Sequence, residues 1–194
     1  PLSLTARDHV SIYALDCNME RSLDDVTAER AALQRSVETL LQASTVRRRE
    51  KRKEQCTDGR HLWDALGLVT WKLSEVPGRR VILAVTDGQD KGSAYTWSAL
   101  KELAQAKGVA IFGLTYQPIF PVYAPHEEYE RTLSAMCELS GGILLTTNAV
   151  DLPQKLVQFT KLVRGRYIVE FPRPSNATPG LHRLAVTIEK SDDF

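Results

Sequence analysis

Residues Val81 to Val85 form an unbroken apolar run that leads straight into Thr86, Asp87, Gly88, Gln89 and Asp90. A strand that is apolar at every position is buried on both faces, the habit of a parallel sheet covered by helices. Ligands of such sheets bind beyond the carboxyl ends of the strands. The polar stretch after Val85, with Asp87 foremost, is therefore predicted to stand where sites occur.

The rest of the chain alternates in the same way. His9 to Leu15 is apolar and β-branched and predicts a strand that ends at Asp16. Thr27 reads as the N-cap of a helix from about Ala28 to Gln42, and Asp58 as the cap of a second one carrying Leu62, Trp63, Leu66, Val69 and Leu73. Trp97, Leu100, Leu103 and Ala104 share one helical face that stops at Gly108, and Val109 to Tyr116 predicts another buried strand. The prolines of Gln117 to Pro125 predict a shaped loop at that strand's carboxyl end. A helix from His126 to Leu139, a strand from Ile143 to Thr146 and a helix from Asp151 towards Val163 follow. Such alternation implies right-handed crossovers and a mainly parallel sheet, a three-layer doubly wound α/β fold over residues 1–164. Arg166 to Phe171 and Leu181 to Glu189 alternate with period two, which predicts an antiparallel β-hairpin over 165–194 packed on the same domain.

A length of 194 residues with 43% hydrophobic content suits one core. With 25 basic and 24 acidic side chains no global field favours nucleic acid or an anionic membrane. The charge run Arg47 to Glu54 reads as a solvated loop or helix end, and it has no aromatic side chain on which bases could stack. No apolar run reaches the ~18 residues of a membrane span, and the opening residues lack the regions of a signal peptide, so a soluble chain is expected. Because residue 1 is proline, a leader preceding it is compatible with the sequence. Cys17, Cys56 and Cys137 fit neither a metal knuckle nor a disulfide scaffold and are expected to be unpaired, although their number permits one bridge.

Enzyme motifs of such sheets are missing: there is no GlyxSerxGly elbow, phosphate loop or dinucleotide fingerprint. His9, His61, His126 and His182 have no metal-pair spacing. Asp87 and Asp90 can be read as paired carboxylates or as ordinary turn and cap residues, and both readings stay open here.

ThrAspGlyGlnAsp at 86–90, LeuTrpAspAlaLeu at 62–66 and GlyGlyIleLeu at 141–144 together resemble the von Willebrand factor type A domain, in its bacterial VWFA-related branch, from about Asp8 to Val163. The resemblance implies a non-enzymatic protein-interaction or adhesion module, secreted or periplasmic. Its partner would dock on loops around Asp16, Asp58, Arg60, Gln89, Asp90 and Gln117 to Pro125. In that family an AspxSerxSer motif, a threonine and an aspartate hold a divalent cation, and Asp87 matches the aspartate. AspxSerxSer is missing, and Arg60 stands where the threonine would be, with Thr57 as the nearby hydroxyl. A guanidinium cannot bind a cation but can pair with Asp87, so the expectation is a degenerate metal site that takes Mg²⁺ or Mn²⁺ only if an upstream segment supplies ligands. The family's first strand and helix have no counterpart, which predicts completion of the sheet by another segment. Cys17 and Cys56 would lie on one edge, where a disulfide would imply an oxidising compartment. Two other expectations differ in class: a metal-assisted or phosphate-handling enzyme, and a structural subunit completed by a strand from another segment.

Overall fold

The computed structural model describes residues 4–5, 7–15, 19–50, 60–116, 125–165, 175–176 and 178. Its elements are β1 (His9–Leu15), β2 (Met19–Thr27), α1 (Arg30–Glu50), α2 (Leu62–Ser74), β3 (Arg80–Val85), α3 (Trp97–Lys107), β4 (Val109–Tyr116), α4 (Pro125–Leu139), β5 (Leu144–Thr147) and α5 (Leu152–Gly165). The chain is a mixed α/β protein. Strands β3, β4 and β5 form a parallel sheet in that order, while β1 and β2 form a separate antiparallel pair.

The parallel sheet follows from its side chains. Ile82 and Ala84 of β3 and Val109 and Ile111 of β4 meet Leu62, Trp63 and Leu66 of α2, Leu100 and Ala104 of α3, and Leu133, Met136 and Cys137 of α4 in one buried cluster. Successive strand residues point to opposite faces. Phe112 accordingly turns to the other side, where its ring meets Phe159 of α5 edge-on at 5.3 Å. The Thr96 hydroxyl accepts the Ala99 N–H and starts α3, which ends at Gly108 as its apolar pattern predicts. At Gly142 the chain crosses β4 so closely that a Cβ would lie 2.0 Å from the Ile111 carbonyl oxygen. Only glycine fits there, and β5 begins just after it.

Two expectations are corrected. The first strand was expected within the parallel sheet, yet β1 pairs with β2, a strand the hydrophobic pattern did not predict. Thr27, expected as a helix cap, is instead the last residue of β2, and α1 starts at Arg30 with the Glu29 carbonyl accepting from the Leu33 N–H at 3.0 Å. The hairpin is joined to the rest at the C-terminal turn of α5. Arg164 pairs with Asp8 just before β1, and Arg79 just before β3 donates to the Val163 and Arg164 carbonyls. Helix α1 runs on through Arg47–Glu50. Residues 51–54 and the expected hairpin segments 166–171 and 181–189 lie outside the described residues. Among the described residues no helix is long and apolar enough to cross a membrane.

Candidate functional site

The loop after β3 is held by its own short polar side chains. The Thr86 hydroxyl accepts the Gly88 N–H at 3.1 Å, and Asp87 Oδ1 accepts the Gln89 N–H at 3.1 Å. Each bond turns the backbone without help from a neighbour. Gly88 has φ 79°, and a Cβ there would lie 3.0 Å from the Tyr129 carbonyl oxygen of α4. The turn therefore needs glycine for two reasons, backbone conformation and space.

Asp87 Oδ2 accepts a hydrogen bond from Arg60 Nη1 at 2.9 Å, and the two side chains are 39% and 59% exposed. The Arg60 backbone is fixed as well, since its carbonyl accepts the Lys91 N–H at 2.7 Å. Val85 and Tyr116, the last residues of β3 and β4, stand exposed at 70% and 56% on the same edge. A charged pair thus sits beside apolar surface at the carboxyl end of the sheet.

Beyond Asp87 the loop and α2 cap one another. Asp58 was expected to cap α2, but the helix begins at Leu62 and His61 stands at its N-cap, without a capping side-chain bond. Asp90 Oδ1 reaches across instead to accept the Trp63 N–H at 3.0 Å, and it also accepts the Ser93 hydroxyl, whose oxygen accepts the Asp64 N–H at 3.3 Å. In return the Asp64 carboxylate accepts the Ala94 and Tyr95 N–H groups at 3.0 and 2.8 Å. Burial alone would raise the Asp64 pKa. The Tyr95 and Ala94 amides and nearby His61 outweigh it and hold the carboxyl below its ordinary value. At the end of β5, Asp151 is held low by the Asn148 N–H and the Thr147 hydroxyl.

The structure thus brings Arg60, Asp87, Gln89 and Asp90 to one edge, with Asp90 turned inward as a cap for α2. Asp16 and Asp58, like Cys17, Cys56, Thr57 and the loop 117–124, lie outside the described residues. Asp64 and Ser93 were not singled out in the sequence. The usable signal for Asp64 was an acid in the first turn of α2, where it can reach loop amides as well as favour the helix dipole.

Among the described residues no set of side chains is arranged to hold a divalent cation. One Asp87 oxygen is committed to a backbone amide and the other to a guanidinium, and among the described residues no three His, Cys, Asp or Glu side chains converge. His9 pairs with Asp25 at 3.0 Å and His61 lies 3.5 Å from Asp64. Cys137 is buried, and burial pushes its thiol up to about 12.

No family model and no curated protein matches the chain. A solved structure from Vibrio fischeri, described as an uncharacterized membrane spanning protein, is similar over 79% of this chain and 74% of its own, at 15% identity and a TM-score of 0.33. A likeness of that size carries no argument.

Proposed function

We propose that this chain is a non-enzymatic protein-interaction module of the von Willebrand factor A type, doubly wound, whose partner docks on the carboxyl edge of the parallel sheet. The observation that carries this reading is the Arg60–Asp87 pair, half-exposed at 2.9 Å on that edge. In the reading, Arg60 takes the place of a cation and offers a partner carboxylate a fixed positive charge. Guanidinium suits the task because its planar fork can bond two carboxylates at once. Exposed Val85 and Tyr116 supply apolar contact beside it, the mixture found at the centre of protein interfaces. A secreted or periplasmic setting belongs to the same reading.

The test places a photo-crosslinking side chain at Gln89 and exposes the protein to extract from its source cell. One adduct is expected at Gln89, none from the same probe at Gln105 on α3, and a large loss of that adduct in Arg60→Glu. Equal adducts from both positions would sink the proposal. Calorimetry with Mg²⁺ and Mn²⁺ is expected to show no binding, and saturable binding lost in Asp87→Ala would overturn the role given to Arg60.

A further inference from the structure

Two aromatic rings and a leucine lie exposed together on the outer side of α2. Leu68 and Trp71, three residues apart and so neighbours on the helix surface, are each half exposed. A Cβ at Gly67 would stand 3.6 Å from Tyr95 Cδ2, so the Tyr95 ring lies against α2 one turn before Trp71, and it is exposed as well. The Asp64 carboxylate holds it there by accepting the Ala94 and Tyr95 N–H groups. Single apolar side chains on a surface mean little, but adjoining ones mark a contact site.

The charge beside this patch is biased to one sign. Lys107 Nζ, at the end of α3, stands 4.4 Å from the Trp71 ring centroid, and Lys72 Nζ stands 5.8 Å from that of Tyr13 on β1. A lysine laid on a ring is held in place without its charge being neutralised, and its ammonium keeps donors for an acceptor. Of the acids of α2 and its C-cap, Asp64 is committed to the loop amides, and Glu75 stands one turn beyond Trp71. Lys72 and Lys107 therefore outweigh Glu75 along this strip. Tryptophan and tyrosine are also the side chains that most often carry the energy of a protein interface.

We propose that the outer face of α2, together with Tyr95, is a docking surface distinct from the carboxyl edge, and that its occupant is an acidic, amphipathic helix of a protein partner. Apolar side chains at helical spacing cover Leu68 and Trp71, and a carboxylate beside them meets Lys107. Charge selects this occupant. A second copy would set the same basic strip against itself, and an anionic lipid surface is held by clusters of about four or more cations, where this strip offers Lys72 and Lys107. Neither Arg60 nor Asp87 takes part.

The probe is a fluorescently labelled synthetic peptide of about 15 residues, with leucines along one helical face and glutamates flanking them, titrated with the full chain and followed by anisotropy. Its control carries lysine in place of each glutamate. Saturable binding of the acidic peptide is expected, with the lysine peptide about tenfold weaker or more. Trp71→Ala, at an exposed position outside the core, is expected to weaken the acidic peptide about tenfold and to move the melting temperature by less than about 2 °C. Lys107→Glu is expected to weaken the acidic peptide and strengthen the lysine peptide, a reversal that a damaged fold would not produce. No saturable binding, equal affinity for both peptides, or affinity indifferent to Trp71→Ala would overturn the proposal. So would a dimer in size-exclusion light scattering that Trp71→Ala dissociates, or sedimentation with phosphatidylserine vesicles that Trp71→Ala abolishes, because a second copy or a lipid surface would then be the occupant. Arg60→Glu is expected to leave the peptide's affinity within about twofold; loss of binding there would put the peptide on the carboxyl edge and overturn this face, so the two surfaces stand or fall separately.

Discussion

Asp90→Ala tests whether the loop after β3 is held by the first turn of α2. Asp90 Oδ1 is the acceptor for the Trp63 N–H and the Ser93 hydroxyl. Losing a helix cap costs about 1 kcal/mol, up to about 2 in protein hosts. The Ser93 hydroxyl also loses its acceptor and ceases to be oriented towards the Asp64 N–H, a neutral bond contributing about 0.5–1.5 kcal/mol. Together the change costs about 2 kcal/mol. For a chain of 194 residues each kcal/mol moves the melting temperature by about 2–4 °C, so a fall of about 4–8 °C is expected by far-UV circular dichroism. Asp90→Asn keeps an acceptor oxygen and is expected to lose about 2 °C or less. A melting temperature for Asp90→Ala within about 1 °C of the parent would refute the capping argument, and an equal fall for both variants would show that charge, not the acceptor, matters.

Asp64 makes the return bonds with a folded-state pKa below its ordinary value, so its stabilisation is complete above the unfolded value of about 3.9 and is lost as pH falls through the lower folded one. The gap in urea midpoint between Asp64→Asn and the parent is therefore expected at neutral pH and should close in acid; a gap that widens in acid would contradict the sign. Gly142→Ala forces a Cβ to within 2.0 Å of the Ile111 carbonyl oxygen and is expected to cost more than ~4 kcal/mol and most of the soluble yield. Gly165→Ala, with nothing within 4 Å, serves as its near-neutral control in the same expression and melting assays. Cys137, with its thiol pushed up to about 12, is expected to resist alkylation until denaturant is added, as read by peptide mapping.

The parallel sheet was legible because its strands are apolar at almost every position and its helices carry a clean apolar stripe. Val109–Tyr116 was predicted to the residue. Strand β2 was not legible for the opposite reason. Its nine residues, MetGluArgSerLeuAspAspValThr, are mostly polar and none is buried, Asp25 sits at φ 46°, and the ladder to β1 is irregular near Ile12. Period-two alternation cannot be seen where no face is fully buried and the register slips. At the edge, pairing of Arg60 with Asp87 could be anticipated from charge and placement. A capping role for Asp90 was one of the open readings, but its partner Trp63 and the return bonds of Asp64 were not legible, because they depend on a loop folding back 27 to 31 residues along the chain.

Arg60 is attached twice, by a carbonyl that receives the Lys91 amide and by a guanidinium that meets Asp87. Side-chain identity at this position is thereby separated from the path of the main chain, which any residue other than a structure breaker would maintain. A single codon change could then alter the charge on this edge while leaving the path of the main chain in place. If the proposed interaction role holds, the choice between acidic and basic partners is thereby separated from the fold that presents it.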